Sequence, residues 1–291
     1  MTSITENDNK RPVFAQMIGE NIPHLVRTAR ELCHYNIAGI DLNMGCPAPR
    51  VYRKHVGGGL LREREKVDPI LGELRDAIHD RPLTVKMRIG FDNTDTFHEI
   101  LDIVARHSID FLSLDGRTVK DMYRGEVRYD LIAEAVNRLD CPVLANGNIR
   151  SAKAALEVLA QTGAAGIMVG RWAIANPWIF KQIRRALQEK MVNPEGIVES
   201  ITRVPLLEVR NYTVRLWQNP NLANMPARAR IGYLKRLLNY IALLVDAEGH
   251  FLRLMRKTQT EVELFQVCDC FLLAKDGKNL ALASYSDIQY K

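Results

Sequence analysis

The chain has few cysteines, five among 291 residues, and this scarcity limits how it can be held together. Their number is odd and their spacing irregular, which argues against a disulfide framework. Cys268 and Cys270 stand too close together for the usual half of a zinc site, and the sequence supplies no second half. We therefore expect neither disulfide bonds nor a bound metal.

Long apolar segments are also absent from the sequence. Charged residues interrupt every apolar stretch within about 20 residues, the length that a membrane-spanning helix requires. The first twelve residues are polar and lack the apolar run of a secretory signal. We expect a cytoplasmic protein without membrane association, since 47% hydrophobic and 25% charged residues are typical of a soluble globular chain.

Short apolar runs alternate with longer amphipathic segments in the first 180 residues. The runs cover residues 13–18, 39–42, 83–88, 111–114, 142–145 and 166–169. They are apolar on both faces, as are the strands of a buried parallel sheet. Helical patterns separate them at 21–34, 66–79, 94–107, 129–139 and 151–161. Repeated βα units of this length predict a parallel sheet, either doubly wound or closed into a barrel.

The positions of the polar residues decide between these two folds. Polar residues and glycines cluster at the carboxyl end of nearly every strand, whereas a doubly wound sheet concentrates its chemistry at one switch point. We therefore predict an α/β fold of the TIM (β/α) barrel type. Six strands are recognisable where a closed barrel has eight, so we expect the barrel to lack its first two strands in this chain.

The hydrophobic period changes after Phe180. Segments 204–217, 227–244 and 260–273 have helical patterns, with no strand of the parallel-sheet type between them. We therefore predict a (β/α) barrel, incomplete at its N-terminus, over residues 1–192. A C-terminal all-helical domain would follow over residues 193–291.

Basic residues recur at helical spacing in this C-terminal part, and the whole chain carries a formal charge of +6. They are Arg228, Arg230, Lys235, Arg236, Arg253, Arg256 and Lys257. A helix face of this kind either follows RNA phosphates or is a solvated basic surface with no partner. The mildly basic balance favours a polyanionic partner.

Two glycine-containing loops follow the last two predicted strands. Asn146-Gly147-Asn148 follows the fifth strand, and Gly170-Arg171 follows the sixth. Loops at these places in barrels often bind phosphate through backbone N–H groups, with glycine allowing close approach. Each loop alone also fits an ordinary tight turn. Their occurrence on consecutive strands favours a cofactor that carries a phosphate.

Lys86 and Cys46 are the candidates for chemistry. Lys86 interrupts an apolar strand, where an ammonium is costly unless it meets an anion or an electron-rich group such as the pyrimidine edge of a flavin. An exposed edge position is the alternative for this lysine. Cys46 lies between Gly45 and Pro47 at a strand exit, where an exposed thiol can act as a nucleophile, a redox partner or a general acid.

The segment Asp41-Leu42-Asn43-Met44-Gly45-Cys46-Pro47 resembles the signature of the tRNA-dihydrouridine synthases. The resemblance continues through Val51, Arg53-Lys54 and Gly57-Gly58. Later motifs follow in the family's order: Val85-Lys86-Met87-Arg88-x-Gly90, Gly116-Arg117-Thr118, Tyr123-x-Gly125, Ala145-Asn146-Gly147 and Gly170-Arg171. The resemblance runs from about Pro12 to Phe180 and continues more loosely through the C-terminal helices. It implies that the barrel over residues 1–192 binds a flavin and that the helical domain over residues 193–291 binds tRNA.

This resemblance implies the reduction of uridine in tRNA to 5,6-dihydrouridine. In the family, FMN reduced by NADPH delivers hydride to C6, and a cysteine, here Cys46, protonates C5. The residues that match the family's flavin contacts are Gln16, Lys86, Asn146, Gly147, Asn148, Gly170 and Arg171. Those that match its handling of the substrate base and phosphates are Asn43, Arg53, Lys54, Arg117 and Tyr123.

The chain departs from the family pattern in three places. The family's opening strand with its Pro-Met-Ala flavin contact is absent, and Asn148 replaces the usual Asp after Asn-Gly. Asp115 replaces the usual His before Gly-Arg-Thr, and a carboxylate there is expected to repel phosphate. A tRNA-binding homologue that has lost productive FMN binding is therefore the alternative function. A flavin enzyme acting on a free pyrimidine fits less well, since a small substrate needs no basic helical domain.

Overall fold

Six parallel strands form one sheet in the computed structural model, which describes residues 11–192, 204–246 and 248–273. The strands pair in chain order, each with the next. They are β1 (Phe14–Met17), β2 (Gly39–Met44), β3 (Leu83–Arg88), β4 (Phe111–Asp115), β5 (Val143–Asn146) and β6 (Gly166–Met168). All six coincide with the predicted runs, so the predicted α/β fold is confirmed. Within the described residues β1 and β6 remain the two edges of the sheet.

Helices connect the strands, because parallel neighbours cannot be joined by a tight turn. They are α1 (Ile22–Leu32), α2 (Pro49–Tyr52), a 3₁₀ helix (Gly57–Arg62), α3 (Arg64–Ala77), α4 (Phe97–Arg106), α5 (Tyr129–Arg138) and α6 (Ala152–Thr162). Local sequence sets their starts: Asn21 caps α1 by accepting the N–H of His24 at 3.0 Å. Ser151 likewise precedes α6 and accepts the N–H of Ala154 at 3.1 Å.

The two faces of the sheet differ in chemistry. Successive side chains of a strand point to opposite faces of the sheet, and the register pairs residues of neighbouring strands that point to the same face. One face carries fully buried apolar residues, among them Leu42, Val85, Leu112 and Ala145. The other carries the polar residues of the strands: Gln16, Asp41, Asn43, Thr84, Lys86, Arg88, Ser113, Asp115 and Asn146. The polar face therefore gathers the predicted chemistry on adjacent strands.

The chain packs as two compact units. The first contains the described residues up to Asn148 together with Glu157–Met168, and the second contains Ile149–Leu156 and the described residues from Val169 onward. The predicted domain boundary at 192/193 adjoins residues 193–203, which lie outside the described residues, and it stays a prediction.

The second unit is helical. Its helices are α7 (Trp172–Ala175), α8 (Ile179–Val192), α9 (Leu206–Trp217), α10 (Pro220–Ala223), α11 (Ala227–Val245), α12 (His250–Lys257) and α13 (Glu261–Leu272). Leu234, Leu238, Phe251 and Leu264 form the centre of its core and are fully buried. The three C-terminal helical segments predicted from the sequence correspond to α9, α11 and α13. In the described part of the chain, no helix combines the length and apolar character needed to cross a membrane.

Candidate active site

Cys46 lies in the loop after β2, and the side chain of Asn43 holds that loop. Asn43 Oδ1 accepts the backbone N–H of Gly45 at 3.1 Å and that of Cys46 at 2.9 Å. One amide oxygen thus satisfies two backbone donors just beyond the strand, where the sheet no longer does so. Cys46 itself is partly exposed, so the loop presents a thiol at the carboxyl edge of the sheet.

The Asn43 amide belongs to a chain of hydrogen bonds across β1, β2 and β3. Its Nδ2 donates to Gln16 Oε1 at 2.9 Å, and Gln16 Nε2 donates to Asp41 Oδ2 at 2.6 Å. The hydroxyl of Thr84 donates to the other Asp41 oxygen at 2.7 Å. An ionised carboxylate only accepts hydrogen bonds, so Asp41 fixes which way the Gln16 amide points, and Gln16 in turn fixes Asn43.

Asp41 is 7% exposed. Burial raises the pKa of its carboxyl group above the ordinary value, while the hydrogen bonds from Gln16 and Thr84 and the charge of Lys86 act in the opposite direction. The buried carboxyl group is therefore tied to its neighbours on both oxygens.

Lys86 lies on the polar face of the sheet beside Asn43 in the register. Its ammonium donates to Asn146 Oδ1 at 3.3 Å, and Asn146 Nδ2 donates to the carbonyl of Met168 at 2.7 Å. Burial lowers the pKa of Lys86, and the nearby carboxylate of Asp115 partly offsets that effect. Lys86 is a sheet-interior residue rather than a solvated edge residue.

Asp115 pairs with two buried arginines. Its carboxylate lies 3.4 Å from Arg88 Nη2 and accepts hydrogen bonds from Arg117 Nε at 3.0 Å and Nη2 at 3.3 Å. Asp115, Arg88 and Arg117 are only 4%, 2% and 3% exposed. Because both guanidinium groups neutralise the carboxylate, the repulsion of phosphate expected from the sequence does not follow.

Arg88 also joins three segments of the site. Its Nε donates to the carbonyl of Gly45 at 3.1 Å, and its Nη1 donates to the carbonyl of Thr118 at 2.7 Å. The Cys46 loop is therefore held by a hydrogen bond to one backbone carbonyl, from Arg88, and by hydrogen bonds from two backbone N–H groups to Asn43. Burial lowers the pKa of the Arg88 guanidinium and the Asp115 charge opposes that shift, yet an arginine remains charged at neutral pH.

The run Gly57-Gly58-Gly59 packs against the chain itself. A Cβ atom on Gly58 would lie 2.6 Å from Val119 Cγ2 and 2.8 Å from the carbonyl oxygen of Cys46. A Cβ on Gly59 would lie 2.6 Å from the carbonyl oxygen of Tyr52. The Gly58 N–H donates to the Cys46 carbonyl at 3.3 Å. These glycines therefore allow the 3₁₀ helix to pack closely beneath the Cys46 loop.

The remaining predicted substrate residues differ in exposure. Arg53 and Lys54 follow α2 and are exposed, as is Tyr123, whose ring lies 5.7 Å from the guanidinium of Arg88. Arg117 is buried against Asp115 and directs Nη1 toward Asn148 Oδ1 at 3.5 Å. Three of the four are thus open to a large ligand, whereas Arg117 is engaged inside the protein.

The predicted phosphate loops fall in different units. Gly147 has a φ of 129° and Asn148 a φ of 46°, so this loop adopts backbone conformations that favour glycine and asparagine. Gly170 and Arg171 precede α7 in the second unit. Their predicted shared role in phosphate binding stays a prediction.

A groove of about 730 Å³ runs beside β1 and α1. Gln16, Ile18 and Val56 are among its lining residues, whereas neither Cys46 nor Lys86 lines it. Gln16 is the only predicted site residue that contacts it, so the groove is not taken as the active site.

Sequence reasoning missed Asp41, Thr84 and Arg88 as parts of the site. The sequence did contain a signal for them, because the alternation of side chains along β2 and β3 places these three polar residues on the same face as Asn43 and Lys86. Polar residues at every second position of otherwise apolar strands indicate that these strands share a polar face. Within the described residues, no group of three His, Cys, Asp or Glu side chains is placed to hold a metal ion.

The basic residues of the C-terminal helices divide into two groups. Arg230 donates to the carbonyl of Trp217 and lies 4.0 Å over its ring. Lys235 donates to the carbonyls of Arg256 and Thr258 at 2.6 and 2.7 Å, at the end of α12. These two cations are used inside the unit. The exposed ones are Arg228, Arg236, Arg253, Arg256 and Lys257. Of these, Arg253 also donates to the carbonyl of Glu248 at 2.9 Å and Arg256 to Asn239 Oδ1 at 2.8 Å.

Sequence comparison identifies the class of protein to which this site belongs. The family model "Dihydrouridine synthase (Dus)" matches residues 1–228, more than half of the chain. The chain is therefore a member of the dihydrouridine synthase family, and the predicted family and enzyme class are confirmed.

Two relatives illustrate the match. The tRNA-dihydrouridine synthase B of Vibrio vulnificus (strain CMCP6) is 37% identical over 233 residues, which cover 79% of this chain and 71% of the relative. That of Pseudomonas syringae pv. tomato is 31% identical over 261 residues, covering 89% and 75%. Among solved structures, a ligand-free type DHODH from Eimeria tenella aligns with a TM-score of 0.47 and 13% identity, covering 59% of this chain and 56% of that one.

Proposed function

We propose that this protein reduces uridines in tRNA to 5,6-dihydrouridine, with FMN as cofactor, NADPH as reductant and Cys46 as the proton donor. The observation that carries the proposal is the position of Asn43 between two proposed functional groups. Its side chain bonds the Cys46 loop through Oδ1 at 2.9 Å and Gln16, a proposed flavin contact, through Nδ2 at 2.9 Å. Membership in the dihydrouridine synthase family supports the same assignment.

Cys46 provides the proton for uridine C5. Addition of hydride at C6 builds enolate-like charge that a positioned acid must neutralise at C5. The thiol suits this task because Asn43 accepts the backbone N–H groups of Gly45 and of Cys46 itself, and Arg88 holds the Gly45 carbonyl. Burial raises the pKa of the Cys141 and Cys268 thiols, that of Cys268 to about 12, and neither lies on the polar face of the sheet.

The residues of the polar face fit an anionic, electron-rich cofactor. Three basic side chains, Lys86, Arg88 and Arg117, lie on this face with the carboxyl groups of Asp41 and Asp115, and Lys86 interacts electrostatically with both carboxyl groups. When bound, FMN reduced by NADPH supplies the hydride that adds to uridine C6.

We assign the flavin contacts by chemistry. Gln16 and Lys86 would hold the ring, Lys86 with two ammonium hydrogens beyond the one it gives to Asn146. The backbone of Asn146-Gly147-Asn148 would hold the phosphate. Arg117 belongs with this group rather than with the RNA contacts, because it is buried beside Asn148.

The tRNA substrate would meet exposed cations. Arg53 and Lys54 lie beside the Cys46 loop, and Tyr123 offers an exposed ring, 49% accessible, for contact with the flipped base. Exposed arginines of α11 and α12 would bind the tRNA backbone. A tRNA substrate also agrees with the cytoplasmic location expected from the sequence.

The catalytically impaired tRNA-binding homologue is the alternative. One of its two grounds was the charge of Asp115, which is neutralised by Arg88 and Arg117. The two functions differ in flavin binding, so the visible absorption spectrum of the purified protein separates them. A flavin spectrum supports the enzyme, and a colourless protein that cannot be reconstituted with FMN supports the alternative.

Replacement of the thiol tests the mechanism. Cys46→Ala should leave reduction of bound flavin by NADPH nearly unchanged and lower dihydrouridine formation by about 10²- to 10⁴-fold, the usual range for a lost general acid. Cys33→Ala removes another partly buried thiol of the same unit and should change neither step. Equal loss of both steps in Cys46→Ala would contradict the role of proton donor.

A further inference from the structure

Two exposed cations share one aromatic pair near the Cys46 loop. Tyr52 and Phe91 meet edge to face with their ring centroids 5.4 Å apart. Lys120 Nζ lies 5.0 Å from the Tyr52 ring centroid and 5.4 Å from that of Phe91. The Arg62 guanidinium lies 4.4 Å over Phe91 and donates to the Tyr52 carbonyl at 2.9 Å. Aromatic faces thus fix the positions of both cations.

Among the residues that the structure describes, neither cation has a carboxylate partner. Within the described residues, no Asp or Glu oxygen lies within 4.0 Å of Arg62 or Lys120, whereas Arg64 pairs with Glu99 at 2.8 Å. Arg53 and Lys54, which directly follow Tyr52, are also exposed, and no described Asp or Glu oxygen lies within 4.0 Å of either side chain. Like charges held close together repel each other, and the aromatic faces offset only part of that cost. Such an arrangement favours binding of an anion.

The cluster is next to the proposed proton donor. Tyr52 is the last residue of α2, which begins three residues after Cys46. The 3₁₀ helix that ends at Arg62 packs on both segments, because Gly58 donates to the Cys46 carbonyl and Gly59 lies against the Tyr52 carbonyl. An RNA strand that delivers a uridine to Cys46 must carry its flanking phosphates past this surface.

We propose that Arg62 and Lys120, held on Tyr52 and Phe91, bind a backbone phosphate of the tRNA next to the target uridine. This site rests on the proposed function and extends it to the flanking nucleotides. Phosphate is the group that matches, since an Arg fork and a Lys point charge bind its oxygens while the aromatic pair keeps both cations aimed outward.

The test is the salt dependence of tRNA binding by the full chain. Lys120→Met removes the charge and keeps the apolar stem against the rings. We expect the slope of log K against log salt to fall by about 1 and the affinity to fall about tenfold near 0.1 M salt. Arg62→Gln should act similarly, and Lys120→Arg should restore the slope. Arg64→Gln is the matched control, since it removes an exposed charge that is already paired.

The outcomes separate this site from the proposed function. If wild-type protein binds tRNA and the slope of Lys120→Met equals that of Arg64→Gln, the phosphate site is wrong and the proposed function stands. If Lys120→Met raises the KM for NADPH in flavin reduction and leaves tRNA binding unchanged, the anion bound at this site is a phosphate of NADPH. The assignment to an RNA phosphate is then overturned. Absence of tRNA binding by the wild type contradicts the proposed function itself.

Discussion

Asn43 accepts the backbone N–H of Cys46 through its side-chain oxygen at 2.9 Å. The nitrogen of the same amide donates to Gln16, whose own amide ends on the buried carboxyl group of Asp41. The orientation of the thiol loop therefore depends on a hydrogen-bond chain that begins on the neighbouring strand. Substitution of any residue in this hydrogen-bond chain should change the geometry of Cys46 more than it changes the fold.

Replacing Asn43 tests this dependence. Asn43→Ala removes the acceptor of two loop N–H groups, so dihydrouridine formation should fall about 10- to 100-fold, as expected for a misplaced reacting group. Unfolding free energy should fall by about 1–2 kcal/mol. Asn43→Asp keeps the acceptor oxygen and should recover part of the activity. Rates of dihydrouridine formation and urea denaturation measure the two effects.

A matched control for this substitution lies in a surface turn. Asn93 Oδ1 accepts the N–H of Asp95 at 3.2 Å, which is the same kind of side-chain bond away from Cys46. Asn93→Ala should leave dihydrouridine formation unchanged. Identical activities of Asn43→Ala and wild type would refute the positioning role of Asn43.

Asp41 should make stability depend on pH. Burial raises its pKa in the folded state, so the unfolded chain loses the proton first as pH rises. The folded state then binds more protons than the unfolded state, and stability falls as pH increases from the ordinary carboxyl range toward the raised pKa. Relative to Asp41→Asn, the wild type should therefore lose unfolding free energy between about pH 4 and the raised value. Urea denaturation of both proteins at several pH values measures the difference, and parallel pH profiles would exclude the effect.

Asp115 should be a stabilising counter-ion. Asp115→Asn leaves the guanidinium groups of Arg88 and Arg117 buried without a negative charge, which should cost about 3–5 kcal/mol of unfolding free energy. The control is the exposed pair of Asp102 and Arg138, whose side chains are 49% and 42% accessible. Asp102→Asn should cost less than about 1 kcal/mol. Similar losses in the two variants, measured by urea denaturation, would show that Asp115 does not neutralise the arginines.

The sequence predicted the strands well because their signal is local. Each of the six runs is short, apolar and bounded by polar residues, and the carboxyl-end positions of Cys46 and Asn146 followed from that order. The pairing of Asp115 with Arg88 was not predictable in this way. It depends on the register between β3 and β4, which places the two side by side. The sequence did not reveal this pairing, because a single position does not show its neighbours.

Helical spacing also failed to separate structural cations from exposed ones. Arg230 and Lys235 repeat with Arg228 and Arg236, yet the first two bond carbonyls inside the helical unit. The chemical type is the same in each case, so the distinction depends on which carbonyl groups the fold leaves unsatisfied nearby.

Lys235 and Arg236 are consecutive residues with opposite expected roles. Arg236 is exposed and lies 5.5 Å from the Tyr233 ring, so Arg236→Gln should weaken tRNA binding and lower the salt slope by about 1 without loss of stability. Lys235 bonds the last carbonyls of α12, so Lys235→Gln should instead lower unfolding free energy by about 1–2 kcal/mol. Filter binding of tRNA at several salt concentrations and urea denaturation of both variants give the comparison. If Lys235→Gln lowered the salt slope as much as Arg236→Gln at unchanged stability, the division of these cations into structural and RNA-binding groups would be wrong.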